Sequence, residues 1–479
     1  MFQPSKYQQD IFDFVENSPH SAIISAVAGS GKTTTIVEAV KRLPGQDYIF
    51  LAFNKSIAEE LKSRGVKAST FHALCFAELN SRLAKRPKVD SGKLRDLFRA
   101  ICPDEEREEY FEVPKLVSLA KNAAFTCGEG NDDWQTLIDD HMLSFPDDDH
   151  AIKLADRLLC ISNTRLDVID FDDMLYIPWL KGFALRTYAT VFIDEAQDTN
   201  KLQLLLLQRL VDPFAGRLIA VGDQAQAIYG FRGAGTGSME NMREMFKCNE
   251  LPLSVSYRCS RAVVMEAKNY VPHIESFSAA TEGSVARVES WRLDHLTGGA
   301  VICRLNRPLV KLAFQLIAAG KSIRYLGKDI SAQLKHILKR SADGKANLDT
   351  IIARVEAERD IEVNKAEANG RGRVAYIEDK YGSLLSILEQ LPSHAGFREV
   401  NEAIDRIFRE TPGASITLCT VHKAKGLEWP NVFILDADKY MPHPRSTEGW
   451  QLQQEYNMLY VAITRSKDML FYIRSEDLQ

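Results

Sequence analysis

Lys32 and Thr33 are the first residues from which a chemistry can be argued, because they close the run Ala28-Gly29-Ser30-Gly31-Lys32-Thr33-Thr34. Glycines in such a run let successive backbone N–H groups turn toward one anion. A lysine then reaches its outer oxygens, and a threonine hydroxyl can ligate Mg²⁺. The apolar residues 23–27 before the run and the helical spacing over 34–43 after it predict strand, loop and helix, which sets the anion at a helix N-terminus. This is a cradle for a nucleoside triphosphate. Ala26 stands where such loops usually begin with glycine, and an ordinary glycine-rich turn is the plain alternative.

Two further stretches carry reactive groups. The apolar run 190–193 delivers Asp194 and Glu195 at its carboxyl end. One such acid can hold Mg²⁺ through water while its neighbour polarises an attacking water. The run 217–221 opens into 222–234, where Gln226, Tyr229, Phe231 and Arg232 lie among glycines. Aromatic faces stack on bases and a guanidinium pairs with phosphate, which is how single strands are held without sequence preference. A structural aromatic turn has the same composition. Gln8, near the start of a helix predicted over 7–15, carries an amide that can read adenine or simply be solvated. Asn54, Lys55, Thr70 and His72 fall at predicted strand ends, where parallel sheets bind ligands and where capping residues also sit.

The elements that must position these groups alternate strand and helix through 48–74, which predicts an α/β fold with a parallel sheet covered on both faces. Charged helical sequence replaces the strand pattern over 76–164. Its acidic runs at 104–109 and 147–149 would repel a phosphate backbone. The sheet is expected to resume at 170–175 and again at 190–193, with a core helix over 201–210. A helix over 260–269 leads to a second α/β region, expected from strands at 284–288, 300–304, 416–421, 432–435 and 469–473. A charged helical stretch over 331–412 interrupts it. There Gly370-Arg371-Gly372-Arg373 reads as a helix stop or a phosphate contact. A helix over 452–463 delivers Thr464 and Arg465.

At 479 residues the chain exceeds one hydrophobic core and should divide into several domains. A net charge of −5 excludes a uniformly basic coat, so a nucleic-acid partner would need a local groove. The eight cysteines contain no C-x-x-C pair, which gives no zinc or iron–sulfur pattern and leads to the expectation of reduced thiols. No apolar run approaches the ~20 residues needed to span a bilayer. Residues 1–6 lack the pattern of a signal peptide. A cytoplasmic protein with no membrane association is expected.

Taken in order, AGSGKT (28–33), AFNKSIAEEL (52–61), TFHAL (70–74), DFDDML (170–175), IDEAQDTN (193–200), GDQAQAIYGFRGA (222–234), SYRCS (256–260), TVHKAKGLEWPNV (420–432) and YVAITRSK (460–467) resemble the signatures of UvrD-like superfamily 1 helicases, the group of Rep and PcrA. The Ala52-Phe53-Asn54-Lys55 stretch resembles the F-box DNA helicase branch in particular. The resemblance implies two RecA-like motor domains, 1–76 with 165–258 and 259–330 with 413–479. Each would carry a mainly helical insertion, 77–164 and 331–412, the latter shorter than in relatives. It implies ATP and Mg²⁺ as cofactors. Gln8 would read adenine, residues 28–34 would surround the phosphates, and Thr33 with Asp194 would hold the metal. Glu195 would activate water, Gln226 would sense the γ-phosphate, and Tyr257 would stack on adenine. Arg258 and Arg465 would act as cationic fingers, and Glu428 would contact the nucleotide. Phe53, Asn54, Thr70, His72, Tyr229, Phe231, Arg232 and His422 would line a single-strand track, with Phe231 where relatives commonly carry Trp. The implied activity is ATP-driven movement 3′ to 5′ along single-stranded DNA by a monomer, unwinding tailed duplex. Two alternatives stay open: a translocase that strips bound proteins, and an ATP-gated DNA-binding subunit with an unidentified protein partner, such as a nuclease or repair complex.

Overall fold

The computed structural model describes residues 3–43, 47–141, 143, 145–228, 237–342, 346–368, 374–409, 411, 413–446 and 449–479. They form two compact units, Met1–Val255 and Ser256–Gln479.

The first unit contains β1 (Ala22–Ala26), β2 (Tyr48–Leu51), β3 (Ala68–Ser69), β4 (Lys88–Val89), β5 (Val168–Ile169), β6 (Thr190–Ile193), β7 (Arg217–Gly222) and β8 (Asn249–Leu253). Six of these make a parallel sheet in the order β3-β2-β6-β7-β1-β8. The central strands read as unbroken apolar runs because both sheet faces are covered, and every residue of β6 and β7 is buried. Alternate residues divide between two cores, as the two-residue side-chain period of a strand requires. Ile23, Leu51, Ile193 and Leu218 face a core shared with the helical segment that follows β3. Ile24, Phe50, Phe192 and Ile219 face a second core built with the helices Lys6–Asn17 and Lys32–Val40. The strand order sets the carboxyl ends of β6, β7 and β1 side by side, where ligands bind in open parallel sheets.

Two expectations need correction here, and one strand was not expected. Residues 170–175 are not sheet. The strand ends at Ile169 and pairs with β4 in a separate two-stranded sheet, and a helix runs Asp173–Leu180. Asp170 and Asp173 impose this turn. Each backbone N–H donates to the other's carboxylate, at 3.1 and 2.8 Å, and both acids meet buried Lys121, at 2.7 Å in each case. Next, β8 carries Glu250 and Pro252 and gives no strand signal, which suits its place at the sheet edge. Finally, not all thiols are reduced. Cys127 and Cys160, with Cα atoms 5.5 Å apart, form a disulfide between the loop after helix Val113–Asn122 and helix Asp148–Thr164. Their 33-residue separation has no pattern that sequence alone could read.

The second unit repeats the parallel architecture. Its sheet runs Ser284–Arg287, Ser466–Ile473, Trp429–Leu435, Gly299–Cys303, Ile416–Thr420, Ile323–Leu326. The last of these was not expected, because Arg324 interrupts its apolar run. Helices Lys328–Ser341, Leu348–Ala368, Val374–Leu388 and Phe397–Phe408 make up the interrupting stretch. They pack through Leu334, Ile337, Ile351, Leu384, Leu388 and Ile404. Residues 370–373 lie outside the described residues. No helix among the described residues is long and apolar enough to cross a membrane.

Candidate active site

β1 ends in the loop 27–31, and two glycines give that loop its shape. Gly29 and Gly31 have φ of 72° and 75°, a region that costs other L-residues roughly 1–2 kcal/mol. Helix Lys32–Val40 starts directly from Gly31 without a side-chain cap, so its first N–H groups are available to an anion. Ser30 is fully buried, and its Oγ has no hydrogen-bond partner among the described residues. An orphaned buried hydroxyl beside an uncapped helix start fits a polyanion.

The acids come from the end of β6, which β7 separates from β1 in the sheet. Thr33 Oγ1 donates to Asp194 Oδ2 at 2.7 Å, and Lys32 Nζ meets Glu195 Oε2 at 2.8 Å. Glu195 has φ 51° and ψ 42°, a left-handed conformation that a glutamate rarely adopts and that aims its carboxylate back at Lys32. Gln197 Nε2 donates to the same Glu195 oxygen at 2.6 Å, while its Oε1 accepts from the Asp223 N–H at 3.0 Å. Asp223, just past β7, accepts from Gln226 Nε2 at 2.6 Å. Gly222 is what lets Gln197 come so near, since a Cβ there would lie 2.6 Å from Gln197 Oε1.

The electrostatics follow from burial. Burial alone would push the Lys32 ammonium down, but Glu195, Asp194 and Asp223 together outweigh it and hold it above the ordinary lysine value. Asp194 is pushed up by burial and by Glu195, with Lys32 and Thr33 opposing. Asp223 is pushed up by burial as well, against the pull of Lys32. One ammonium among three carboxylates is short of positive charge, so the donor set fits a bound cation.

Several predicted residues are brought to this edge with partners of their own. Gln8 is buried; its Oε1 accepts from the Ser5 N–H at 2.9 Å and its Nε2 donates to Thr35 Oγ1 at 3.0 Å. Asn54 and Thr70 are helix N-caps, accepting from the Ile57 and Ala73 N–H groups at 2.9 and 3.1 Å. Phe53 is 56 % exposed. A crevice at the ends of β2 and β6 is lined by Phe53, Phe71, His72, Asp194, Thr199 and Gln203. Burial pulls the His72 imidazole below its usual value, with Asp172 opposing. Tyr229, Phe231 and Arg232 lie outside the described residues. Sequence reasoning assigned no role to Gln197 or Asp223. The available signal was their place just beyond two buried strands.

Two family models match in tandem. The UvrD/REP helicase N-terminal domain covers residues 8–247, and the UvrD-like helicase C-terminal domain covers residues 308–477. The chain belongs to the UvrD/Rep helicase family. It is 24% identical to F-box DNA helicase protein 1 of Schizosaccharomyces pombe, covering 93% of this chain and 55% of that protein. F-box DNA helicase 1 of Gallus gallus is also 24% identical, with 94% and 47% covered. The chain thus spans about half the length of these two relatives. The ATP-dependent DNA helicase PcrA of Staphylococcus epidermidis is 22% identical, covering 94% of this chain and 80% of that protein.

Within the second unit of this UvrD/Rep-type chain, Tyr257 is partly exposed and lies against Phe277, ring centroids 5.0 Å apart. Arg258 Nε meets Glu428 Oε2 at 2.6 Å, and Glu428 Oε1 also meets Lys467 Nζ at 2.6 Å. Burial of Glu428 is outweighed by these two cations, which hold its carboxyl below the ordinary glutamate value. Arg465 is buried, donating from Nε to the Val461 carbonyl at 3.0 Å and from Nη1 to the Leu427 carbonyl at 3.1 Å. His422 sits in the short helix Val421–Ala424 at the carboxyl end of strand Ile416–Thr420.

Proposed function

We propose that this chain is an ATP-dependent DNA motor that moves 3′ to 5′ along single-stranded DNA as a cytoplasmic monomer and unwinds tailed duplex. The carrying observation is the cluster at the ends of β1 and β6, where Lys32 meets Glu195 and Thr33 meets Asp194 on one uncapped helix start. The family membership adds DNA as the track.

ATP supplies the scissile phosphoanhydride, and Mg²⁺ offsets the charge of its phosphates. Thr33 and Asp194 are the side chains that would hold the ion. Among the described residues no group of three or more His, Cys, Asp or Glu could hold it alone, which suits an ion that keeps waters and phosphate oxygens as ligands. A phosphate drawn to Lys32 competes with Glu195 for the ammonium. Glu195 is then released to take a proton from the attacking water, and Gln197 keeps it oriented. Gln226 turns from Asp223 toward the outermost phosphate. Arg258 and Arg465 are the cations assigned to the charge that spreads in the transition state. Tyr257 and Gln8 are assigned to the base, and Glu428 to the nucleotide. Phe53, Asn54, Thr70, His72 and His422, with Tyr229, Phe231 and Arg232, are assigned to the strand. The helical stretches 77–164 and 331–412 are taken as insertions into the two motor domains.

Unwinding of matched duplexes with a 3′ or a 5′ single-stranded tail tests this reading. Strand separation from the 3′-tailed substrate alone is expected. Displacement of a bound protein without strand separation would replace the helicase by a protein-stripping translocase. Hydrolysis indifferent to DNA, with neither substrate opened, would overturn the motor.

A further inference from the structure

The acid pair Asp194-Glu195 is followed by a short 3-10 turn, Ala196–Asp198, and then by Asn200, the N-cap of helix Lys201–Leu210. Asn200 is held from two sides. Its own helix holds it through a capping box, since its Oδ1 accepts from the Gln203 N–H at 2.9 Å and its N–H donates to Gln203 Oε1 at 3.0 Å. Its remaining donor, Nδ2, reaches out of the loop to Asn122 Oδ1 at 2.8 Å. Asn122 is the last residue of helix Val113–Asn122, in the helical segment between β3 and β6. Its own Nδ2 donates to Asp172 Oδ1 at 2.9 Å and to the Ser118 carbonyl at 2.8 Å. Asp172 Oδ2 in turn accepts from Ser118 Oγ at 2.5 Å. Every polar atom of the Asn122 amide is therefore used. Gln203, the capping partner, lines the same crevice as Phe53, His72 and Asp194.

We infer that Asn122 is a positioning residue for the hydrolytic acids: through Asn200 it fixes the end of the loop that carries Asp194, Glu195 and Gln197. The inference rests on the proposed ATPase reading of that loop. Nothing else in the family signatures draws attention to Asn122, which lies in none of them. Glu195 is held in a left-handed conformation that a free loop would relax, and a displacement of about 1 Å at a catalytic group can cost up to about 100-fold in rate. Asn122 and the Asn200 cap clamp the far end of the seven-residue connection, 194–200, between β6 and helix Lys201–Leu210.

The chemistry offers a reciprocal test. Asn122→Asp sets a carboxylate against that of Asp172 and removes the amide donor. Combining it with Asp172→Asn restores a donor–acceptor pair of the same net charge: the new carboxylate at 122 accepts from both Asn200 and the new amide at 172. Only the Asn122 bond to the Ser118 carbonyl is lost in both. ATP hydrolysis with and without single-stranded DNA, ATP KM and Tm are measured for wild type, Asn122→Asp and the exchanged pair. The single variant is expected to lose about tenfold in kcat at nearly unchanged KM, and the exchanged pair to recover most of it. A kcat within about twofold of wild type for a folded Asn122→Asp would overturn the inference. So would an exchanged pair that regains Tm but not kcat. Wild-type hydrolysis that ignores DNA would overturn the motor reading alone, and the same comparison on basal turnover then decides the role of Asn122. No wild-type hydrolysis would overturn both.

Discussion

The two sheets of this chain use the same backbone devices and put them to different ends. In each, an apolar parallel strand passes into an acidic residue in the left-handed region and then a short helical turn: Glu195 at φ 51° in the first unit, Asp436 at φ 53° in the second. Glu195 faces the ammonium of Lys32, whereas Asp436 accepts from the N–H of Ser475 at 2.8 Å and its Oγ at 3.2 Å, tying together two chain segments. The helix starts differ in the same way. Helix Lys32–Val40 begins uncapped behind Gly31. Helix Asn306–Ala318 has its first N–H groups, those of Asn306 and Arg307, donating to the buried carboxylate of Asp379 at 3.0 and 2.8 Å. The second unit thus fills with its own carboxylate the kind of place that the first leaves for a phosphate. Partner chemistry, rather than backbone form, decides which edge can bind a nucleotide.

That contrast can be broken or sharpened by substitution. The largest effects belong to the first sheet: Lys32→Ala or Glu195→Gln should lower ATP turnover at least about 100-fold. Glu195→Gln should retain nucleotide binding, and Lys32→Ala should weaken it, as read by equilibrium titration. Chelating Mg²⁺ with EDTA should likewise stop hydrolysis, with excess Mg²⁺ restoring it. Loss of the Asp379 carboxylate should be felt in stability alone. Asp379→Ala leaves two helix N–H groups without their partner and should cost about 1–3 kcal/mol in chemical denaturation, with ATP KM unchanged. The smallest effect is expected for Asp436→Asn, which tolerates the left-handed region and keeps an acceptor for Ser475; a loss below about 1 kcal/mol and no change in turnover should be seen.

The legible part of the fold was the part governed by local pattern. The apolar runs at 190–193 and 217–221, the glycine loop and the core helix Lys201–Leu210 all follow from residue spacing, and all stand where expected. The sequence could not announce elements whose cause is distant. Residues 170–175 were expected to continue the sheet, but Lys121, some fifty residues earlier, gathers Asp170 and Asp173 into a turn. β8 forms because β1 offers it an edge, despite Pro252. Within the candidate site the residue types named their chemistry, yet Gln197 and Asp223 were passed over because their contacts depend on β6 and β7 lying side by side. Asn54 and Thr70 show the reverse: both stand at the expected strand ends, and both are engaged as helix caps.

Steady-state ATP hydrolysis by wild type and Glu195→Gln, each with and without single-stranded DNA, tests the central claim most directly. The account predicts slow hydrolysis by the wild type alone, strong stimulation by DNA, and no turnover above background in the variant under either condition. Wild-type hydrolysis that does not respond to DNA, or turnover that survives Glu195→Gln, would contradict it.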